Sequence, residues 1–145
     1  MLWRVAKECP FCEIVGGRVP AHKVFDDDVA VGFLDARPVF KGHVLVVPRD
    51  HVVTLPDLPA AAVGPFFVRV QRVAAAVPDA LGADGTFVAA NNVVSQSVAH
   101  LHVHVVPRVR KDGLRGFFWP RQRYTDDAEA AGYAERIAAA LDGPS

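Results

Sequence analysis

His100-Leu101-His102-Val103-His104-Val105-Val106-Pro107-Arg108 alternates imidazole and apolar side chains and then closes on a proline. Side chains along a strand point to opposite faces with a period of two, so His100, His102 and His104 share one face and Leu101, Val103 and Val105 the other. The stretch reads as a strand beginning near Val98, with an apolar face anchored in a core and an imidazole face that carries chemistry. It holds three of the chain's six histidines. Clustered imidazoles serve either as metal ligands or as a nucleophile with proton-handling partners.

Working outward, residues 86–90 form a strand that runs through Asn91-Asn92 into the histidine strand, which makes the two antiparallel neighbours. Upstream, Val63, Phe66, Phe67, Val70, Val73 and Val77 recur at helical spacing and define a buried stripe. Pro65 places the regular helix after it, with residues 59–64 as a lead-in turn, and Pro78 stops it. His43-Val44-Leu45-Val46-Val47-Pro48 is almost continuously apolar and reads as a central strand. His22-Lys23-Val24-Phe25 and Val29-Ala30-Val31-Gly32-Phe33-Leu34 form a hairpin around Asp26-Asp27-Asp28, a solvated acidic turn. Residues 9–17 form a short helical turn ending at Gly16-Gly17, and residues 126–141 a terminal helix capped at Gly143. Residues 111–120 are glycine-punctuated and aromatic, with no clean period.

A length of 145 residues suits one domain with an adequate core. Lys+Arg and Asp+Glu balance at 16 each, which argues against duplex nucleic acid or an anionic membrane as the main partner. The first residues lack the apolar core of a secretion signal, and no apolar run approaches the roughly 18–20 residues of a spanning helix, so a cytoplasmic chain is expected. The only two cysteines form Cys9-Pro10-Phe11-Cys12, too few for a disulfide scaffold.

Two constellations carry chemistry. Cys9 and Cys12 can present two thiolates to one tetrahedral zinc, histidines supplying the rest from His51 and His100, or they can exchange redox equivalents. A thioredoxin-like site expects a parallel βαβ context, whereas these cysteines precede a hairpin. The second constellation is His102 and His104 with His43 and the loop Asn91-Asn92-Val93-Val94-Ser95-Gln96-Ser97. A neutral imidazole is a competent nucleophile near neutral pH and phosphorus its natural electrophile, while the polar loop can hydrogen-bond phosphate oxygens.

The sequence resembles the histidine triad (HIT) family, whose signature of three histidines alternating with apolar residues is matched by His100 to Val106. Supporting blocks are Cys9-Pro10-Phe11-Cys12-Glu13-Ile14-Val15, Phe33-Leu34-Asp35-Ala36-Arg37-Pro38 with Gly42-His43-Val44-Leu45-Val46-Val47-Pro48, and Gln96-Ser97-Val98. The resemblance implies an α+β fold with a five-stranded antiparallel sheet, one long helix and a C-terminal helix. Residues 1–145 would be a single HIT domain with its core at about 9–108 and a C-terminal extension at about 109–145. It implies a homodimer that binds purine nucleotides or their conjugates and cleaves at the α-phosphorus: phosphoramidates, acyl-adenylates or dinucleoside polyphosphates. His102 would be the nucleophile, with His104 and His43 assisting. Asp35 would hold the ribose, and Phe11, Ile14, Phe33 and Leu34 the base, with Asn92, Gln96 and Ser97 near the phosphate. A structural zinc would be held by Cys9, Cys12, His51 and His100. The alternative is a nucleotide-binding scaffold with little turnover. The loop before the triad is shorter and poorer in glycine than the family's, which leaves open whether Asn91 or Asn92 faces phosphate.

Overall fold

The computed structural model describes residues 9–114 and 121–141. It divides into two compact units with the boundary between Asp112 and Gly113. The first opens with helix α1 (Pro10–Val15), capped by the Cys9 thiol, which accepts from the Cys12 amide, and closed at Gly16. Strands β1 (Lys23–Asp26) and β2 (Ala30–Leu34) form the expected hairpin. Asp27 Oδ1 accepts from the amides of Val29 and Ala30, both at 2.9 Å, so the acidic turn is an Asx-type cap on β2. β3 (Val44–Pro48) follows, then helix α2 (Ala60–Leu81), β4 (Gly85–Ala89) and β5 (Val103–Arg108). The five strands make one antiparallel sheet in the order β1-β2-β3-β5-β4, with β3 at its centre. The second unit holds α3 (Asp127–Leu141), which starts where Glu129 N–H donates to Asp126 Oδ1 at 2.8 Å. The expected cap at Gly143 lies outside the described residues, as do residues 115–120 of the aromatic segment.

The alternation along β3 and β5 sorts two cores. Val44, Val46, Leu101, Val103 and Val105 pack with Phe66, Val70, Val73 and Val77 of α2. Leu45, Val47, Val31 and Phe33 face the other way, against Cys9, Phe11 and Cys12 of the α1 segment. α2 has the length and mean hydropathy, 1.3, of a membrane-crossing helix. Its apolar stripe is spent on the sheet.

Three expectations need correction. The histidine strand begins at Val103, not near Val98: His100 sits in a bend, where its Nε2–H donates to Pro48 O at 2.9 Å and the Leu101 amide donates to Val52 O at 2.8 Å. These bonds tie the stretch to the last residue of β3 and to the segment after it, yet the in-out alternation persists through it. The second correction is that α2 runs without a break through both prolines. Pro65 forfeits one hydrogen bond and costs about 3 kcal/mol, but burying four large side chains at about 1.5–3 kcal/mol each outweighs it. The helix stops instead at Gly82, whose left-handed φ of 65° lets its amide and that of Ala83 both reach Pro78 O. In the third, Val63 is 38% exposed and leaves the stripe, while Phe67 packs only at its margin.

Candidate active site

α1, the end of β3 and the start of β5 meet on the α1 side of the sheet. His102 is buried, and its Nδ1 lies 2.7 Å from the carbonyl oxygen of His100. A carbonyl can only accept, so the proton of the neutral ring is on Nδ1 and the lone pair is on Nε2. Ring contacts hold the plane: Phe11 meets His102 edge-on at 5.0 Å and Phe33 at 5.4 Å.

His43 and His104 are ordered by the same logic. The Val39 amide donates to His43 Nδ1 at 3.1 Å, which puts the His43 proton on Nε2. That Nε2–H faces His104 Nδ1 at 3.0 Å, so the His104 proton is on Nε2. A backbone amide thus fixes the tautomer of two rings in series and leaves His104 Nε2–H as a donor beside His102, whose ring centroid is 5.1 Å away. Burial lowers His104 to about 4, with His102 and His43 adding to the effect, and burial also lowers His43, against the opposing pull of Asp35. Both rings are neutral at pH 7. In the unfolded chain these groups take up protons near 6.5, so below that pH the unfolded state binds more protons and stability falls as pH drops toward about 4. The expected loss from His104 is on the order of 3 kcal/mol at its limit. Urea unfolding at pH 7 and pH 5 checks it, and His104→Asn should flatten the difference.

Asp35 lies just past β2, with Oδ1 accepting from the Arg37 amide at 2.9 Å and Oδ2 3.8 Å from His43 Nδ1. Ile14 packs at the edge of the cluster that contains Phe11 and Phe33. Leu34 is not brought there. It lies on the opposite face of β2 and borders the α2 side with Val44 and Val73. Asn92 and Gln96 are engaged in tying the loop to the segment after β3: Asn92 Oδ1 accepts from the Leu55 amide at 2.8 Å, and Gln96 bridges the Val93 amide and Val53 O. Ser97 is exposed. The loop's glycine deficit shows as strain, because Val93 takes φ 71° and Ser95 φ 62°. Val93→Gly is expected to leave stability unchanged or raise it by up to about 1 kcal/mol, since relief of left-handed strain is partly offset by a freer unfolded chain. A clear loss in urea unfolding would contradict that.

The second cluster joins Cys9, Cys12, His51 and His100, whose ligand atoms all lie within 4.8 Å of one another and could hold a metal ion. His100 Nδ1 is 3.4 Å from Cys9 Sγ, 3.5 Å from Cys12 Sγ and 3.2 Å from His51 Nδ1, and Cys12 Sγ is 3.2 Å from His51 Nδ1. Because His100 Nε2–H is given to Pro48 O, its Nδ1 lone pair is the one that faces the thiols. Burial, and then Cys9, push the Cys12 thiol up to about 12, the reverse of the lowered pKa that redox cysteines need. Sequence reasoning found every side chain of these two clusters. It missed the backbone partners, Val39 N–H, His100 C=O and Pro48 C=O, for which no residue-type signal exists.

A model of the HIT domain matches residues 17–111. Together with the sheet order and the paired histidine clusters, this establishes that the chain belongs to the HIT family. It is similar to a zinc-bound histidine triad family protein from Mycobacterium smegmatis, at TM-score 0.71 and 36% identity over 92% of this chain and 99% of that one. It is 32% identical to an adenosine 5'-monophosphoramidase of Schizosaccharomyces pombe over 77% of this chain and 83% of the relative. It is 33% identical to an adenylylsulfatase of Arabidopsis thaliana over 74% of this chain and 55% of that protein.

Proposed function

We propose that the chain is a hydrolase or nucleotidyl transferase acting at the α-phosphorus of purine nucleotide conjugates, with His102 as nucleophile. One observation carries it: the His100 carbonyl holds His102 Nδ1–H and leaves Nε2 as the free lone pair. Nε2 attacks phosphorus, the P–N bond forms and the bond to the leaving group breaks. The ring is then cationic, and its Nδ1–H bond to the carbonyl oxygen offsets that charge. His104 Nε2–H donates to a phosphoryl oxygen or the leaving atom. Water then attacks, the P–N bond breaks, and the nucleoside monophosphate departs. Phe11, Phe33 and Ile14 form the base side and Asp35 binds ribose hydroxyls, leaving Leu34 out of the pocket. The two enzyme relatives, named for a phosphoramidate and an adenylylsulfate, support an adenylyl group as the common part.

The metal cluster fits zinc. A tetrahedron with Zn–S of about 2.3 Å and Zn–N of about 2.0–2.1 Å has edges of roughly 3.3–3.7 Å, close to the spacings above. Bound there, zinc supplies a structural cross-link between the α1 segment and His100. We assign the chain to the cytoplasm and to a homodimer on the same reading.

The test is a substrate radiolabelled at the α-phosphorus. Acid-stable trapping is poor for phosphoimidazoles, so the reaction with an adenosine 5'-phosphoramidate is quenched in alkali and digested. An adenylyl mass on the peptide containing His102 is expected. AMP binding without turnover or label would favour the scaffold alternative.

A further inference from the structure

The sheet is wider than the helix that covers it. Five strands about 4.8 Å apart span roughly 19 Å, whereas a helix with its side chains is about 10–12 Å across. α2 packs chiefly on β3, β5 and β4, and within the first unit it covers the same face of β1 and β2 less fully. A cleft of about 460 Å³ results, on the sheet face opposite His102 and Phe33. Phe25, Leu34 and Val44 line its sheet side; Val73, Ala76 and Ala80 line its helix side. The two alanines fall one turn apart on one helical stripe, where longer side chains would fill the space. Gly32 helps to shape it as well: a Cβ there would meet the Phe25 ring at 2.5 Å, so glycine is what lets that ring lie across β2.

The walls are aliphatic and aromatic, but Asp27 and two arginines stand among them. Arg69 is committed, its Nε 3.0 Å from Asp27 Oδ2 and its Nη2 3.8 Å from Asp28 Oδ1. Arg72 is exposed and makes no ion pair among the described residues. An apolar cleft of this size, within the roughly 300–1,000 Å³ of small-ligand sites, with one uncommitted guanidinium beside it calls for an apolar body and an anionic head.

We propose that this cleft binds an amphipathic monoanion, an aliphatic carboxylate whose chain lies between α2 and β2 and whose head meets Arg72. The site is independent of the nucleotide side, so it stands whether or not His102 is a nucleophile. Isothermal titration of the full chain with dodecanoate below its micellar concentration tests it. Saturable binding near one per chain is expected, weakening by about fourfold for each methylene removed in a shorter carboxylate. Arg72→Gln should weaken dodecanoate by about fivefold while leaving dodecanol unchanged, because only the charged head is lost. Ala76→Phe and, separately, Ala80→Phe should abolish binding, with thermal midpoints confirming that each variant folds. Asp35→Asn should leave it intact. The absence of saturable binding, or full binding in both filled variants, overturns the proposal. So does a filled variant that fails to bind dodecanoate like the parent but changes its sedimentation coefficient without ligand, which would assign the face to a second copy of the chain.

Discussion

His102→Ala is expected to lower kcat on an adenosine phosphoramidate by on the order of 10⁴- to 10⁶-fold, the range in which deleting a covalent nucleophile falls. The effect is specific to this ring. Its Nδ1–H is engaged with the His100 carbonyl, its Nε2 is free, and Phe11 packs its edge, so no neighbouring group stands in the same place. His104→Ala should cost less, about 10²- to 10⁴-fold, because it removes a hydrogen-bond donor and not the attacking atom. Affinity for AMP should stay within about threefold in both variants, since Asp35 and the aromatic side are untouched and a binding loss of that size would be under 1 kcal/mol. The buried His100 carbonyl loses its partner in His102→Ala at a cost of about 1–3 kcal/mol, so a urea midpoint must accompany the kinetics. Full activity in folded His102→Ala would end the covalent reading.

Metal removal is the second large effect. Metal analysis is expected to find about one zinc per chain, and chelation to lower stability by about 4 kcal/mol or more, on the order of 10 °C in Tm. Burial keeps the Cys12 thiol protonated when no cation faces it, so stripped protein carries no thiolate at Cys12. The chelated chain should therefore unfold in one cooperative step at a lower temperature and not collapse outright. Cys9→Ser and Cys12→Ser should reproduce the loss and blunt the response to chelator. A zinc-free preparation with the parental Tm would refute the assignment.

Much of the architecture was legible because alternation at Val44 to Val47 and Leu101 to Val105 is a direct readout of two packed faces. The same rule applied to Phe33 and Leu34 separates them, since adjacent strand residues cannot line one pocket. That error belonged to motif matching rather than to the physics of the sequence. The start of β5 was hidden for a different reason. His100 to His102 keeps strand-like alternation while the Leu101 amide goes to Val52 O and the His100 side chain to Pro48 O, and side-chain pattern carries no record of backbone partners. Pro65 and Pro78 misled because a local penalty was weighed without the tertiary burial that offsets it. For the site, the histidines and cysteines announced themselves by type and spacing. Their tautomers did not, because Val39 N–H and the His100 and Pro48 carbonyls set them.

His100 is held at three points: its Nδ1 among the thiols, its Nε2 on Pro48 and its carbonyl on His102. Mechanically it is a shared datum from which two neighbouring assemblies take their alignment. A shift in the seating of that one residue passes directly to the His102 ring, and substitutions as mild as His100→Gln should degrade both clusters together.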